Sequence, residues 1–248
     1  MQNNFKIALI GYGKMGKEIH KIAKSQNIEV TDIFDENRLL TPQKEFNFDV
    51  AIDFSIPPAV IDNAKIVSAC GKNLVIGTTG WYKNSDLVKA VAEQNNTGIV
   101  WGSNFSVGMQ VFFKIVHYAS QLITVADGYD VFMHEIHHKR KKDSPSGSAL
   151  TLAAIIMANQ PTKTEILADT SYGEIMPEQL HISSSRGGEE PGTHTVYLDS
   201  AADTIELTHR ARSRTAFASG ALTAAKLING KKGFYSFEEL LDDMWKTT

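Results

Sequence analysis

The most pointed chemical feature of the chain is the stretch Glu135 to Leu150, EIHHKRKKDSPSGSAL. His137 and His138 are adjacent, Lys139, Arg140, Lys141 and Lys142 follow, and Asp143-Ser144-Pro145 leads into Ser146-Gly147-Ser148. A strand is predicted over Tyr129 to His138. If it stays extended to its end, successive side chains point to opposite faces, so the two histidines do different work and no metal site made by both is expected. Ser146, Gly147 and Ser148 open a predicted helix, and hydroxyls with free amides at a helix N-terminus favour binding a carboxylate. Lysine and histidine beside such a site supply positive charge and a proton that moves near neutral pH. A Lys/Arg run without neighbours is usually a solvated face. Here a histidine pair brackets one end and Ser-x-Ser the other.

Other chemistries fit less well. SPSGSA lacks the Gly-Lys-Ser/Thr ending with which a P-loop grips phosphates. No GxSxG nucleophile elbow stands between a strand and a helix. His20, His117, His134, His181, His194 and His209 lie in patterned helices or strands and read as structural.

A second constellation lies at the N-terminus. Phe5 to Ile10 (FKIALI) reads as a buried strand, Gly11-Tyr12-Gly13-Lys14-Met15-Gly16 follows, and a helical pattern comes next. GxGxxG allows a tight turn and close backbone approach, so a pyrophosphate can rest on amides at the helix start. Asp35, at the end of the second predicted strand, is placed to accept hydrogen bonds from an adenosine ribose. Glu36 stands where a 2′-phosphate would sit and no arginine adjoins Asp35, so NADH is expected over NADPH, with Arg38 near enough to soften the preference. The alternative is that the glycines merely turn the chain and Asp35 caps a loop. Three further strand ends carry polar or glycine-rich turns: Asp53-Phe54-Ser55, Gly77-Thr78-Thr79 and Ser103-Asn104-Phe105. In an open parallel sheet, ligands gather at such carboxyl ends.

These motifs need elements to hold them. Strands at Glu29 to Phe34, Asp49 to Phe54, Leu74 to Ile76 and Gly98 to Trp101 alternate with helices, which implies a Rossmann-like, doubly wound parallel sheet. Past about Val107 the pattern changes. A helix through Gln121, the Tyr129 to His138 strand, a helix over Ser148 to Ala158 and alternating runs between His181 and His209 predict a second, α+β domain with a mixed or antiparallel sheet. Phe217 to Asn229 is helical and could return to the first domain. The expected division is 1–106 with 216–248 as the dinucleotide-binding domain, and 107–215 as the second.

Composition narrows the partners. The chain has 248 residues, 42% hydrophobic and 21% charged, enough to bury a real core. A net charge of -3 argues against nucleic acid, whose binders carry a basic excess. One cysteine, Cys70, excludes a disulfide framework, and MQNNFKIALIG lacks a signal-peptide core, so a cytoplasmic setting is expected. No apolar run approaches the roughly 20 residues of a membrane helix.

Over nearly its whole length the chain resembles the 4-hydroxy-tetrahydrodipicolinate reductase (dihydrodipicolinate reductase) family of lysine and diaminopimelate biosynthesis. The landmarks are the N-terminal glycine motif, Val75 to Gly80, Asn104 to Gly108, Glu135 to Leu150 and Ile205 to Ala221. The His-His-x-x-Lys-x-Asp-x-Pro-Ser-Gly run is highly specific to that family. The resemblance implies NAD(P)H-dependent reduction of 4-hydroxy-tetrahydrodipicolinate to tetrahydrodipicolinate, with hydride delivered to C4 and water lost. It implies an acid/base role for His137, proton donation by Lys141, and substrate-carboxylate contacts from His138, Gly147 and Ser148. It also implies a homotetramer formed through the second domain's sheet, and two domains that close over a cofactor and a small dicarboxylate. Ser148 replaces the family's usual threonine, Lys142 stands where an apolar residue is common, and the Asp35-Glu36 pair lacks the arginine many relatives use for NADPH.

Overall fold

Local sequence and burial agree closely over residues 5–106. The apolar run KIALI forms β1 (Lys6–Ile10), and after the glycine turn α1 (Lys14–Ser25) buries Ile19, Ile22 and Ala23 along one face. β2 (Glu29–Phe34) and β3 (Val50–Asp53) follow. Pro57–Ala59 then form a short 3-10 turn that feeds α2 (Val60–Ala69), as prolines at a helix entry should. β4 (Asn73–Ile76), α3 (Ser85–Asn95) and β5 (Gly98–Trp101) complete this alternation. β3 and β4 are buried at every position, as strands covered on both faces must be.

The next segment builds a different layer. α4 (Val107–Ile123), β6 (Asp130–His137), α5 (Gly147–Asn159) and the short β7 (Glu165–Leu167) precede β8 (Gln179–Arg186), β9 (Thr193–Asp199) and β10 (Thr204–Arg210). Their sheet runs β10-β9-β6-β8-β7. β9 and β10 form the expected antiparallel hairpin, but β8 does not pair with β9. β6 lies between them, antiparallel to β9 and parallel to β8. The alternating runs could not reveal this, because period-2 patterning marks a face without naming a neighbour. β6 takes the central place with Val131, Met133, Glu135 and His137 on its buried face. Val131 and Met133 pack there with Leu180, Ile182, Val196 and Leu198 beneath α4 and α5.

The chain then returns through α6 (Thr215–Ile228), β11 (Gly233–Ser236) and α7 (Phe237–Lys246). The short β11 run GFYS carries no strand signal of its own, yet it adds a parallel edge strand to β5. The first sheet thus reads β11-β5-β4-β3-β1-β2, all parallel. α6 packs against α1, β3 and β4 through small residues, and a side chain at Gly220 would stand 1.5 Å from the Phe105 carbonyl oxygen. In this computed structural model, which describes residues 5–126 and 128–246, contacts divide the chain into Met1–Ser106 with Arg214–Thr248, and Val107–Ser213. No helix among the described residues is long and apolar enough to cross a membrane.

Candidate active site

In the first unit the strand ends carry a groove. Its largest part, a cavity of about 610 Å³, is lined by Gly11, Tyr12 and Gly13 after β1, Asp35 and Glu36 after β2, and Phe54 and Ser55 after β3. A second part of about 300 Å³ runs past Met15, Gly77, Thr78 and Thr79, and a third of about 280 Å³ past Ser103, Asn104, Phe105, Arg214 and Phe217. Phe54 lines all three. Phe54 and Ser55 were legible only as a strand-end turn, Phe217 only as the start of a helix, and nothing in the sequence singled out Arg214.

The glycines have separate structural reasons. Gly11 has φ +88, and a side chain there would meet the Phe54 carbonyl oxygen at 2.4 Å. A side chain at Gly16 would meet the Gly11 carbonyl oxygen at 2.3 Å, so both are required by the backbone itself. Gly13 differs. It caps α1 with no side-chain hydrogen bond, and nothing lies within 4 Å of where its side chain would be. Free amides beside open space are what a dinucleotide's pyrophosphate requires. Lys14 is exposed at the same helix start, while the Tyr12 hydroxyl is taken by His20 Nδ1 at 2.6 Å.

Other groove residues contribute backbone and shape more than side-chain polarity. Thr78 is buried and its hydroxyl donates to Asp53 Oδ1 at 3.0 Å, so it does not face the groove as a free donor. Phe105 is buried against Phe54 and Phe237. Asn104 Oδ1 accepts the Ser106 amide, and Ser103 and Thr79 are exposed. Asp35 Oδ1 accepts the amides of Asn37 and Arg38 at 2.9 and 3.1 Å, so the acid does shape its loop. Arg38 turns away to Asp32, 2.7 Å from its Oδ1, with the guanidinium 5.0 Å over the Phe34 ring. Glu36 is exposed beside it.

In the second unit the site follows from sheet register. The row Ile182–Met133–Val196 across β8, β6 and β9 is apolar, the next row toward the end of β6 is Ser184–Glu135–His194, and beyond it Arg186 faces His137. A buried face that begins with apolar residues therefore ends in ionisable ones. Glu135 is wholly buried, and its Oε1 accepts the Ser184 hydroxyl at 2.8 Å, Arg186 at 2.7 Å and the Ser146 amide at 3.0 Å. Burial opposes its ionisation, but the hydrogen bonds from His194, Ser146, Arg186 and Ser184 outweigh it and hold the carboxyl well below the usual carboxylate range. His137 is 7% exposed, and burial pushes it down to about 4 against the raising effect of Glu135. It is therefore neutral at physiological pH.

Ser146 occupies a different role from the one its motif suggests. Its hydroxyl is buried, caps α5 by accepting the Ala149 amide at 3.2 Å, and lies 3.0 Å from His194 Nε2. An N-cap serine engaged on both sides has little left to offer a ligand. Gly147 is exposed and Ser148 half-exposed, so the helix start reaches the surface at those two residues. His138, just past β6, is half-exposed, as its opposite direction requires. Lys141 is held by Asp143 Oδ2 at 2.9 Å, and Arg140 pairs with Glu189 through both guanidinium nitrogens. Arg140 is thus pinned to the β8–β9 loop, where the run alone suggested a solvated cation. Lys142 is exposed.

Glu135, Arg186 and His194 are the residues that sequence reasoning missed. His194 read as structural, and only the register brings it beside Glu135. Ligand atoms of Glu135, His137 and His194 lie within 4.8 Å of one another, a spacing that a metal could use. The Arg186 guanidinium on the same carboxylate supplies the positive charge there instead.

Comparison with known proteins is consistent across the chain. The family models "Dihydrodipicolinate reductase, N-terminus" and "Dihydrodipicolinate reductase, C-terminus" match residues 5–105 and 108–241. The 4-hydroxy-tetrahydrodipicolinate reductase of Christiangramia forsetii is 36% identical over 97% of this chain and 99% of its own, and that of Methanocaldococcus jannaschii 39% identical over 80% and 73%. In fold, the chain is similar to the dipicolinate-bound dihydrodipicolinate reductase from Paenisporosarcina sp. TG-14, with a TM-score of 0.75 and 23% identity over 95% of this chain and 98% of that one. The glycine turn, the polar end of the β6 face and full-length similarity converge: the chain belongs to the dihydrodipicolinate reductase family, oxidoreductases that form tetrahydrodipicolinate in lysine and diaminopimelate biosynthesis.

Proposed function

We propose that the first unit binds a reduced nicotinamide dinucleotide, NADH in preference to NADPH, and that the second binds the dicarboxylate substrate and handles its proton. The observation that carries the second assignment is one loop, 138–148, bearing His138, Lys141 and the α5 start with Gly147 exposed and Ser148 half-exposed, anchored at Asp143. Those groups suit two carboxylates: amides and a hydroxyl at the helix start for one, cationic or hydrogen-bonding side chains for the other. The Paenisporosarcina relative is dipicolinate-bound, which supports a dicarboxylate of that kind.

When bound, the cofactor supplies the hydride to C4. The Lys141 ammonium donates the proton that completes the reduction, and His137, kept neutral by burial, accepts and returns protons as the hydroxyl leaves as water. Gly11, Gly13, Lys14, Met15, Asp35, Gly77, Thr79, Ser103 and Asn104 line or flank the dinucleotide groove, Tyr12, Thr78 and Phe105 shaping its walls. The acid at Glu36 and the diversion of Arg38 to Asp32 support NADH, since a 2′-phosphate would meet a carboxylate without a free guanidinium. A cytoplasmic homotetramer completes this reading. Oxidation of NADH and NADPH, measured side by side with enzymatically generated 4-hydroxy-tetrahydrodipicolinate, tests it: faster turnover with NADH is expected, and folded protein that binds NADH without turnover would overturn it.

A further inference from the structure

We propose that Glu135 and Arg186 are a positioning pair that orients His137 and the Lys141 loop together. The pair joins two branches. On one, the same terminal nitrogen of Arg186 that reaches Glu135 Oε1 at 2.7 Å also donates to the Asp143 backbone carbonyl at 2.7 Å, and Asp143 Oδ2 holds Lys141 Nζ at 2.9 Å. On the other, Glu135 Oε2 lies between two imidazoles, 3.4 Å from His137 Nδ1 and 3.5 Å from His194 Nε2, both long for a hydrogen bond, and His137 Nδ1 has no other hydrogen-bonding partner. Because His194 Nε2 also has the Ser146 hydroxyl at 3.0 Å whereas His137 Nδ1 faces only this buried carboxylate oxygen, the contact favours the His137 tautomer with its proton on Nδ1, leaving Nε2 as the basic atom. On that side of the ring, a side chain at Gly192, which has φ +149, would come within 2.9 Å of Nε2. The imidazole is therefore confined between Glu135 and the Gly192 backbone.

A buried ion pair that only holds the sheet together would show the same short contacts. What sets this pair apart is position: Arg186 faces His137 in the β6–β8 register, and its reach to Asp143 ties the strand end to the loop that carries Lys141. The inference rests on the reading of His137 and Lys141 as chemical groups, so its test needs a signal independent of turnover. The charged and titratable groups around His137 are Glu135, His194, Lys141 and Arg186. Removing the negative one should lower the pH at which His137 titrates, and removing the positive one should raise it.

Nuclear magnetic resonance of the His137 ring in the intact protein reads both tautomer and titration. Glu135→Gln is expected to lower its titration by about one pH unit and to erase the Nδ1–H preference, and Arg186→Met to raise it by a similar amount. Both should lower kcat by up to about 100-fold with NADH affinity unchanged, and Arg186→Lys should recover part of the loss. If Glu135→Gln fails to fold, Arg186→Met, whose side chain is 18% exposed, carries the test alone. An unchanged kcat overturns the proposal, and so does a lower kcat with His137 titrating as in the parent protein. The expected titration shifts in a protein without reductase turnover would support the pair and count against the functional reading instead.

Discussion

In the proposed function the two units recognise their ligands in opposite ways. The first offers backbone: a glycine turn, uncapped amides of α1 and strand-end loops whose polar side chains are mostly tied to the protein itself, as Thr78 is to Asp53. The second offers side chains: a buried carboxylate, a confined histidine and a cationic loop secured by Asp143 and Arg186. Backbone amides bind a generic phosphate at a fixed place, whereas moving protons needs groups whose charge the surroundings can set. The first region should therefore fail through sterics and affinity, the second through rate and pH.

The largest expected effect is in the second region. His137→Gln should lower kcat by about two orders of magnitude or more, as loss of an acid/base group does, and steady-state assays at saturating NADH would check it. The same substitution bears on acid stability. Because the folded protein disfavours protonated His137 and the unfolded chain does not, the contribution of this group to stability is fully present above about pH 6.5 and is lost as pH drops toward 4, by on the order of 3 kcal/mol. Denaturant unfolding of His137→Gln should lose that part of the slope. A slope kept in the variant would assign it to other groups, Glu135 among them.

In the first region, two glycines of the same turn should separate. Gly16→Ala places a side chain against the Gly11 carbonyl and should lower stability by about 1–3 kcal/mol, whereas Gly13→Ala meets open space and should weaken NADH binding with melting temperature unchanged. Calorimetric titration beside thermal melts would distinguish them, and a melting loss at Gly13 would show it to be merely a turn. The smallest effect is expected at Glu36→Arg. It should raise relative NADPH use several-fold, about the scale of 1 kcal/mol from one exposed charge. An unchanged ratio of kcat/KM values would show that the Asp35-Glu36 pair does not set selectivity.

How far sequence reasoning reached follows the same contrast. The glycine turn, the parallel sheet and the strand-end loops lie within short contiguous stretches, where spacing and periodicity report structure directly. The 135–150 stretch was visible as a concentration of reactive types. Its partners were not: Arg186 and His194 sit 51 and 59 residues beyond Glu135 (186 − 135 and 194 − 135), and only the insertion of β6 between β8 and β9 brings them to it. Ser146 shows the converse. A helix-start serine can cap or bind, and its burial beside Glu135 and His194 decides for the cap. β11 escaped notice because four residues on a sheet edge owe their strand to the neighbour they join.

The division of labour between the units is tested most directly by Lys141→Ala, with NADH affinity and turnover measured on the same preparation. The account predicts an unchanged Kd for NADH and a kcat lower by about two orders of magnitude. A kcat equal to that of the parent protein would contradict it and place the proton donor elsewhere.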